Sequence, residues 1–268
     1  MYKLIAIDMD GTLLKKDKTL SAETCRVIKK AHLQGIKIVL ATGRPMKGIE
    51  QYLEELNLVS DKDYAVTFNG SVVQNIKTRE IISEKGITHE DVKLLYDVSL
   101  HLNLNIHAFT RDSVITPKLT KYTQLESDLN HVPVKIMDFK NLDKSIEIIK
   151  ILMVEEPTML EGAITKLPSY LYDKYNIVKS APFFLEFLNK SVDKGVGVEL
   201  LAKSLNIKQE EVICIGDAGN DIHMIKYAGL GVAMGNAFEE VKKVADYITL
   251  TNEEDGVADV IKKFVFAM

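Results

Sequence analysis

The chain has 268 residues, 46% of them hydrophobic and 27% charged, with a net charge of -4 at neutral pH. That is enough apolar material for a sizeable core in one or two domains, and the slight acidic balance excludes the basic excess of a general nucleic-acid binder. No apolar run approaches the roughly 20 residues of a membrane span, and the first strand begins too close to Met1 for a signal peptide, so a cytoplasmic protein is the expectation.

Leu4 to Ile7 is a short, unbroken apolar run, the pattern of a strand buried on both faces in a parallel sheet. Asp8-Met9-Asp10-Gly11-Thr12-Leu13 follows at its carboxyl end, where open α/β sheets place their ligands. Strand alternation carried through this stretch predicts that Asp8 and Asp10 face one pocket with Met9 opposite, and that Gly11 permits a sharp turn away. Ser21 caps a helix carrying Val27, Ile28 and Ala31 that stops at Gly35. A second buried strand, Ile36 to Ala41, ends in Thr42-Gly43-Arg44, and Pro45 opens a helix with Ile49, Tyr52, Leu53 and Leu56 on one face. A third strand, Ala65 to Phe68, runs into Asn69-Gly70. Strand and helix in alternation predict a parallel sheet with right-handed crossovers.

The rhythm changes after a hairpin over Val72 to Ser83. Thr88 and Asp91 have capping-box spacing ahead of a helix to about Leu102, followed by strands at Asn105 to Phe109 and Ser113 to Thr116. An apolar run at Ile148 to Val154, a helix through about Tyr172 and strands near Ile177 to Ser180 and Phe183 to Leu188 complete an α+β insert, read as an antiparallel sheet with helices on one side. Strand-helix alternation resumes with a helix from about Lys194, a strand at Val212 to Ile215, a helix near Asn220, short strands at Gly231 to Ala233 and Tyr247 to Thr249, and a helix to about Phe264. The expected organisation is a discontinuous core, 1–83 and 189–268, split by an inserted domain, 84–188. Cys25 and Cys214 fall in a helix-like and a strand-like pattern and read as core thiols, with no disulfide framework.

Polar residues recur where the core strands end. Gathered at one sheet edge, Asp8, Asp10, Asp217 and Asp221 would repel by up to about 4 kcal/mol per close pair at an effective dielectric near 20, and would need a cation. A set of oxygen donors with no His or Cys close by in sequence favours Mg²⁺ over zinc. Lys194 at a helix start opposes the helix dipole, a placement that suits an anionic ligand. With helix-start amides and the Thr42 hydroxyl it makes a phosphate cradle.

The ordered set Asp-x-Asp-Gly-Thr-Leu, Thr-Gly-Arg, Asp-Lys-Gly and Gly-Asp-x-x-Asn-Asp resembles the haloacid dehalogenase superfamily of phosphatases. With Phe68-Asn69-Gly70, Ser180-Ala181-Pro182, the run Gly231 to Ala237 and Glu254 to Ala258, it is most similar to the Cof-type sugar phosphatases of the YidA kind, over the whole chain. The resemblance implies an α/β fold: a Rossmann-like parallel-sheet core with an inserted α+β cap of the second type lying over the pocket. It implies Mg²⁺-dependent hydrolysis of phosphate monoesters, small sugar phosphates above all, through an aspartyl-phosphate. Asp8 would be the nucleophile, and Asp10 would protonate the leaving alcohol and later activate water. Asp8, the Asp10 carbonyl and Asp217 would hold the metal, with Asp221 supporting them. Met9, Thr42, Gly43, Lys194 and Asn220 would bind the phosphoryl group, and Arg44, Asn69 and Asn236 are further candidates for substrate contact. Asp193 stands where the family usually has Ser or Asn, a change that can cap the helix. In the insert, His107, Arg111, His131, Lys135 and Glu186 are candidates to read the leaving group. The expected partners are small phosphorylated metabolites, with no nucleic acid and no membrane, and the chain is expected as a monomer or homodimer. The alternatives are a phosphomutase using the same intermediate and a non-hydrolytic phospho-acceptor or binding protein.

Overall fold

The computed structural model describes residues 1–267. In chain order the elements are β1 (Leu4–Ile7), α1 (Ala22–Leu33), β2 (Lys37–Ala41), α2 (Glu50–Glu55), β3 (Tyr64–Thr67), β4 (Val72–Asn75), β5 (Ile81–Glu84), α3 (His89–His101), β6 (Asn105–Phe109), β7 (Val114–Thr116), α4 (Lys121–Asn130), β8 (Val134–Ile136), β9 (Lys150–Val154), α5 (Pro157–Ile164), α6 (Tyr170–Lys174), β10 (Tyr175–Ala181), β11 (Phe184–Asn189), α7 (Lys194–Ser204), β12 (Val212–Gly216), α8 (Ile222–Tyr227), β13 (Leu230–Ala233), α9 (Glu239–Lys242), β14 (Tyr247–Ile248) and α10 (Gly256–Ile261). The described residues fall into two units, one of residues 1–43, 50–84 and 193–267, the other of residues 44–49 and 85–192. Among the described residues no helix is long and apolar enough to cross a membrane.

The first unit is built on an eight-stranded sheet, ordered β14-β13-β12-β1-β2-β3-β4-β5. The six strands from β14 to β3 are parallel, and β4 and β5 add an antiparallel hairpin to one edge. β1 is buried along its whole length, as its uninterrupted apolar sequence requires of a central parallel strand. It lies between β2 and β12, with Ile7 opposite Leu40 on one side and Ile215 on the other. Chain order reverses at this strand, so the residues after β1, β2 and β12 emerge side by side at the switch point where α/β sheets bind ligands. Ser21 caps α1 by accepting from the Thr24 N–H. After Pro45 a 3-10 turn, Met46–Ile49, precedes a short α2 in place of one continuous helix.

The second unit carries a six-stranded sheet, β10-β11-β9-β6-β7-β8, antiparallel except for the β7–β8 pair. Ile106, Ala108, Ile151, Met153, Leu185 and Phe187 form one apolar core with Val92, Leu95 and Val98 of α3, Leu160 of α5 and Leu171 of α6. The Thr88–Asp91 capping box forms as its spacing predicts. The single helix expected through about Tyr172 is instead two, because Pro168 falls between them and cannot supply a helical N–H. The alternate positions of the same strands carry polar groups. Lys150 and Glu186 pair at 3.0 Å while both are buried. His107 is wholly buried between the rings of Phe109 and Phe184, and burial, helped by Lys150, pulls its pKa down to about 3.

Glu126 of α4 is buried near this group, and burial pushes its carboxyl up from 4.5 to about 7, with Glu186 adding to the rise and Lys150 and Arg44 opposing it. A raised acid stabilises the fold fully below its unfolded pKa and loses that contribution as pH climbs through the folded one. Wild-type stability relative to Glu126→Gln is therefore expected to fall by roughly 3 kcal/mol between pH 4.5 and pH 8. Denaturant melts at several pH values check this; parallel curves for the two proteins would contradict it.

Candidate active site

The acids of the first unit meet through turns rather than through strand alternation. β1 ends at Ile7, and Met9 to Thr12 form a tight turn whose Met9 carbonyl accepts from Thr12 N–H at 3.4 Å and from Leu14 N–H, beyond the turn, at 2.9 Å. Gly11 sits at φ 93°, and a Cβ there would lie 2.4 Å from Asp217 Oδ2. Only a residue without a side chain permits both that backbone and that approach. Thr12 Oγ1 then donates to Asp217 Oδ1 at 2.7 Å, so the residue after the glycine orients an acid 205 positions away.

Asp8, Asp217 and Asp221 are all buried, and each offers an oxygen within 4.8 Å of the others. Lys194, the first residue of α7, reaches into the group with Nζ 2.5 Å from Asp8 Oδ1 and 2.7 Å from Asp221 Oδ1. Asp193 caps that helix by accepting from the Val196 N–H at 2.8 Å. The second oxygen of Asp221 accepts from the N–H groups of Asp217 and Ala218, so this carboxylate is held on every side. Burial, with Asp221 next, drives the Asp8 carboxyl well above the usual carboxylate range against the pull of Lys194. Burial also raises Asp217, opposed by the Thr12 hydroxyl. The Lys194 ammonium loses hydration by burial, but attraction to Asp221 and Asp8 prevails and holds its pKa above that of a free lysine.

The remaining predicted residues are distributed unevenly. Thr42 is buried at the end of β2, its N–H donating to Val66 and its carbonyl accepting from Asn69 N–H at 2.9 Å. A Cβ on Gly43 would come 3.2 Å from the Asn69 side chain, which in turn accepts from Asn220 Nδ2 at 3.0 Å. Met9 is fully buried. The Asp10 carboxylate is not among the three clustered acids; it is 41% exposed and bridged by Lys18 Nζ at 2.7 Å. Arg44 groups with the second unit, where its guanidinium reaches the Gly48 carbonyl. Asn236 donates to the Gly11 carbonyl at 2.8 Å and accepts from Asn252 N–H at 3.0 Å, which makes it a brace for the Gly11 turn. Thr12 and Lys18 were not distinguished as partners of acids by sequence. A Thr after Asp-x-Asp-Gly offers a weak signal of this kind, whereas Lys18 stands in a loop without periodicity.

A family model for haloacid dehalogenase-like hydrolases matches residues 5–261. YxeH of Bacillus subtilis (strain 168) is 44% identical over 100% of both chains. The 5-amino-6-(5-phospho-D-ribitylamino)uracil phosphatase YitU of the same organism is 32% identical over 97% of both. Among solved structures, the sugar phosphatase BT4131 of subclass IIB superposes with a TM-score of 0.81 at 28% identity, covering 98% of each chain.

The buried ion group makes Lys194 the point of greatest sensitivity. Lys194→Met leaves Asp8 and Asp221 without their ammonium, a loss expected to cost about 3–5 kcal/mol. Urea denaturation of the metal-free protein measures it, and a loss below 1 kcal/mol would contradict the assignment.

Proposed function

The chain belongs to the haloacid dehalogenase-like hydrolases, and from that premise we propose that it is a Mg²⁺-dependent phosphatase of small sugar or polyol phosphates acting through an aspartyl-phosphate. The observation that carries the reading is the buried group of Asp8, Asp217, Asp221 and Lys194. With all three carboxylates ionised, one ammonium would leave two negative charges uncompensated, the deficit a divalent cation fills. Hard oxygen donors suit Mg²⁺, and Asp8, Asp217 and the Asp10 carbonyl would hold it, with Asp221 fixing the loop that carries Asp217. When bound, the ion would draw charge from the phosphoryl oxygens.

The chain's own groups account for the rest. An Asp8 oxygen bonds to phosphorus as the bond to the leaving alkoxide breaks, and Asp10 delivers a proton to that oxygen. Water then attacks the phosphorus of the acyl phosphate while Asp10 takes its proton, which returns Asp8 as a carboxylate. Asp10 suits proton exchange because its carboxyl is solvent-accessible, whereas Asp8 is enclosed. Thr42, the Gly43 amide, Lys194 and Asn220 would hold the phosphoryl oxygens, and positioning with charge neutralisation supplies most of the rate in such chemistry. The sugar and ribityl phosphate relatives favour a hydroxyl-rich leaving group.

A panel of sugar, polyol and nucleoside monophosphates assayed for phosphate release with Mg²⁺ tests the reading. Release is expected to stop with chelator, return with Mg²⁺, and vanish in Asp8→Asn. Asp10→Asn should lower kcat by about 10²–10⁴-fold. Undiminished release by Asp8→Asn would remove the proposed nucleophile.

A further inference from the structure

Three consecutive residues after β3, Phe68, Asn69 and Gly70, adopt left-handed backbone conformations, with φ of 51°, 55° and 95°. For residues other than glycine this conformation is disfavoured, least for Asn, so a turn with a Phe and an Asn in that state must be held by its surroundings. The surroundings are the parts of the candidate site. Asn69 N–H donates to the Thr42 carbonyl at 2.9 Å, and Asn69 Oδ1 accepts from Asn220 Nδ2 at 3.0 Å. A Cβ on Gly43 would stand 3.2 Å from Asn69 Nδ2, and one on Gly70 would fall 2.1 Å from the Asp193 carbonyl oxygen, immediately before Lys194. Asn69 is itself 3% exposed. One turn thus packs at the same time against the loop after β2, the start of α7 and the turn after β12.

We propose that Asn69 is a positioning residue for phosphate: its carboxamide oxygen takes one Asn220 N–H and so fixes the Asn220 amide with its second N–H directed to a phosphoryl oxygen. The inference rests on the phosphatase reading above. It differs from direct substrate contact by Asn69, because the whole effect of the Asn69 side chain passes through Asn220. A free Asn220 amide would sample several rotamers, and the site would meet that ordering cost on each binding event.

A double-mutant cycle separates the two roles. Asn69→Gly keeps a residue at ease in the left-handed region while removing the carboxamide. Inorganic phosphate, titrated with Mg²⁺ present and followed by calorimetry, is the probe for wild type, Asn69→Gly, Asn220→Ala and the double variant; kcat/KM on the best ester is read alongside. Positioning predicts that Asn69→Gly weakens phosphate binding roughly tenfold in the wild-type background and less than about twofold in the Asn220→Ala background. Equal losses in both backgrounds, or no loss in the first, overturn it. A general loosening of the fold would act equally in both backgrounds and lower Tm, so it falls among the overturning outcomes. Wild type that binds phosphate but releases none from esters refutes the phosphatase reading and leaves the cycle decisive for Asn69. Wild type that binds no phosphate refutes both.

Discussion

The ammonium of Lys194, buried among the carboxylates of Asp8 and Asp221 with Asp217 beside them, is the constraint on which the first unit depends. Charges taken from water cost several kcal/mol each unless they are closely paired and hydrogen-bonded. That condition explains why so many local features point to one place. Gly11 vacates the space Asp217 occupies, Thr12 orients it, two backbone N–H groups hold Asp221, and Asp193 caps the helix whose first residue is the lysine. The charges come from the residue after β1, from α7 and from the turn after β12, so the group forms only when the parallel sheet has set those ends in register.

The second unit satisfies its buried charges differently. Lys150 and Glu186 neutralise each other at 3.0 Å, His107 stays uncharged, and Glu126 is pushed toward its neutral acid. Below the Glu126 pKa of about 7 that set carries no excess charge. The contrast leaves the first unit as the place where clustered buried acids outnumber bases and could hold a metal ion.

Much of this was legible in the chain, and the reasons are specific. β1, β2 and β12 are continuous apolar runs, readable because a parallel strand is buried on both faces. Ser21, Thr88 and Asp193 announce helix starts by chemistry that acts within four residues. α4 escaped notice because Lys-Tyr-Thr-Gln-Leu-Glu-Ser-Asp-Leu-Asn has little apolar periodicity, and β8 has only three residues. Alternation could not foresee that the Asp10 carboxylate pairs with Lys18, because the strand ends before Asp8 and the turn that follows sets its surroundings. Asn236 has the residue type of a ligand contact, yet its amide is engaged by Gly11 and Asn252, partners that no spacing rule connects.

By itself the sequence determined most of the strands and helices, that their order makes a parallel core with an α+β insert, and which acids, threonine and lysine follow the strand ends. These follow from interactions local to a segment or from the order of segments. Tertiary structure decided which of those groups share one buried volume: that Asp8, Asp217, Asp221 and Lys194 do, that the partly exposed Asp10 carboxylate pairs with Lys18, and that Asn69 hydrogen-bonds Asn220. Distances of a few ångströms between residues 150 to 200 positions apart depend on sheet register and on the turns at strand ends, and neither is written in any single stretch of the chain.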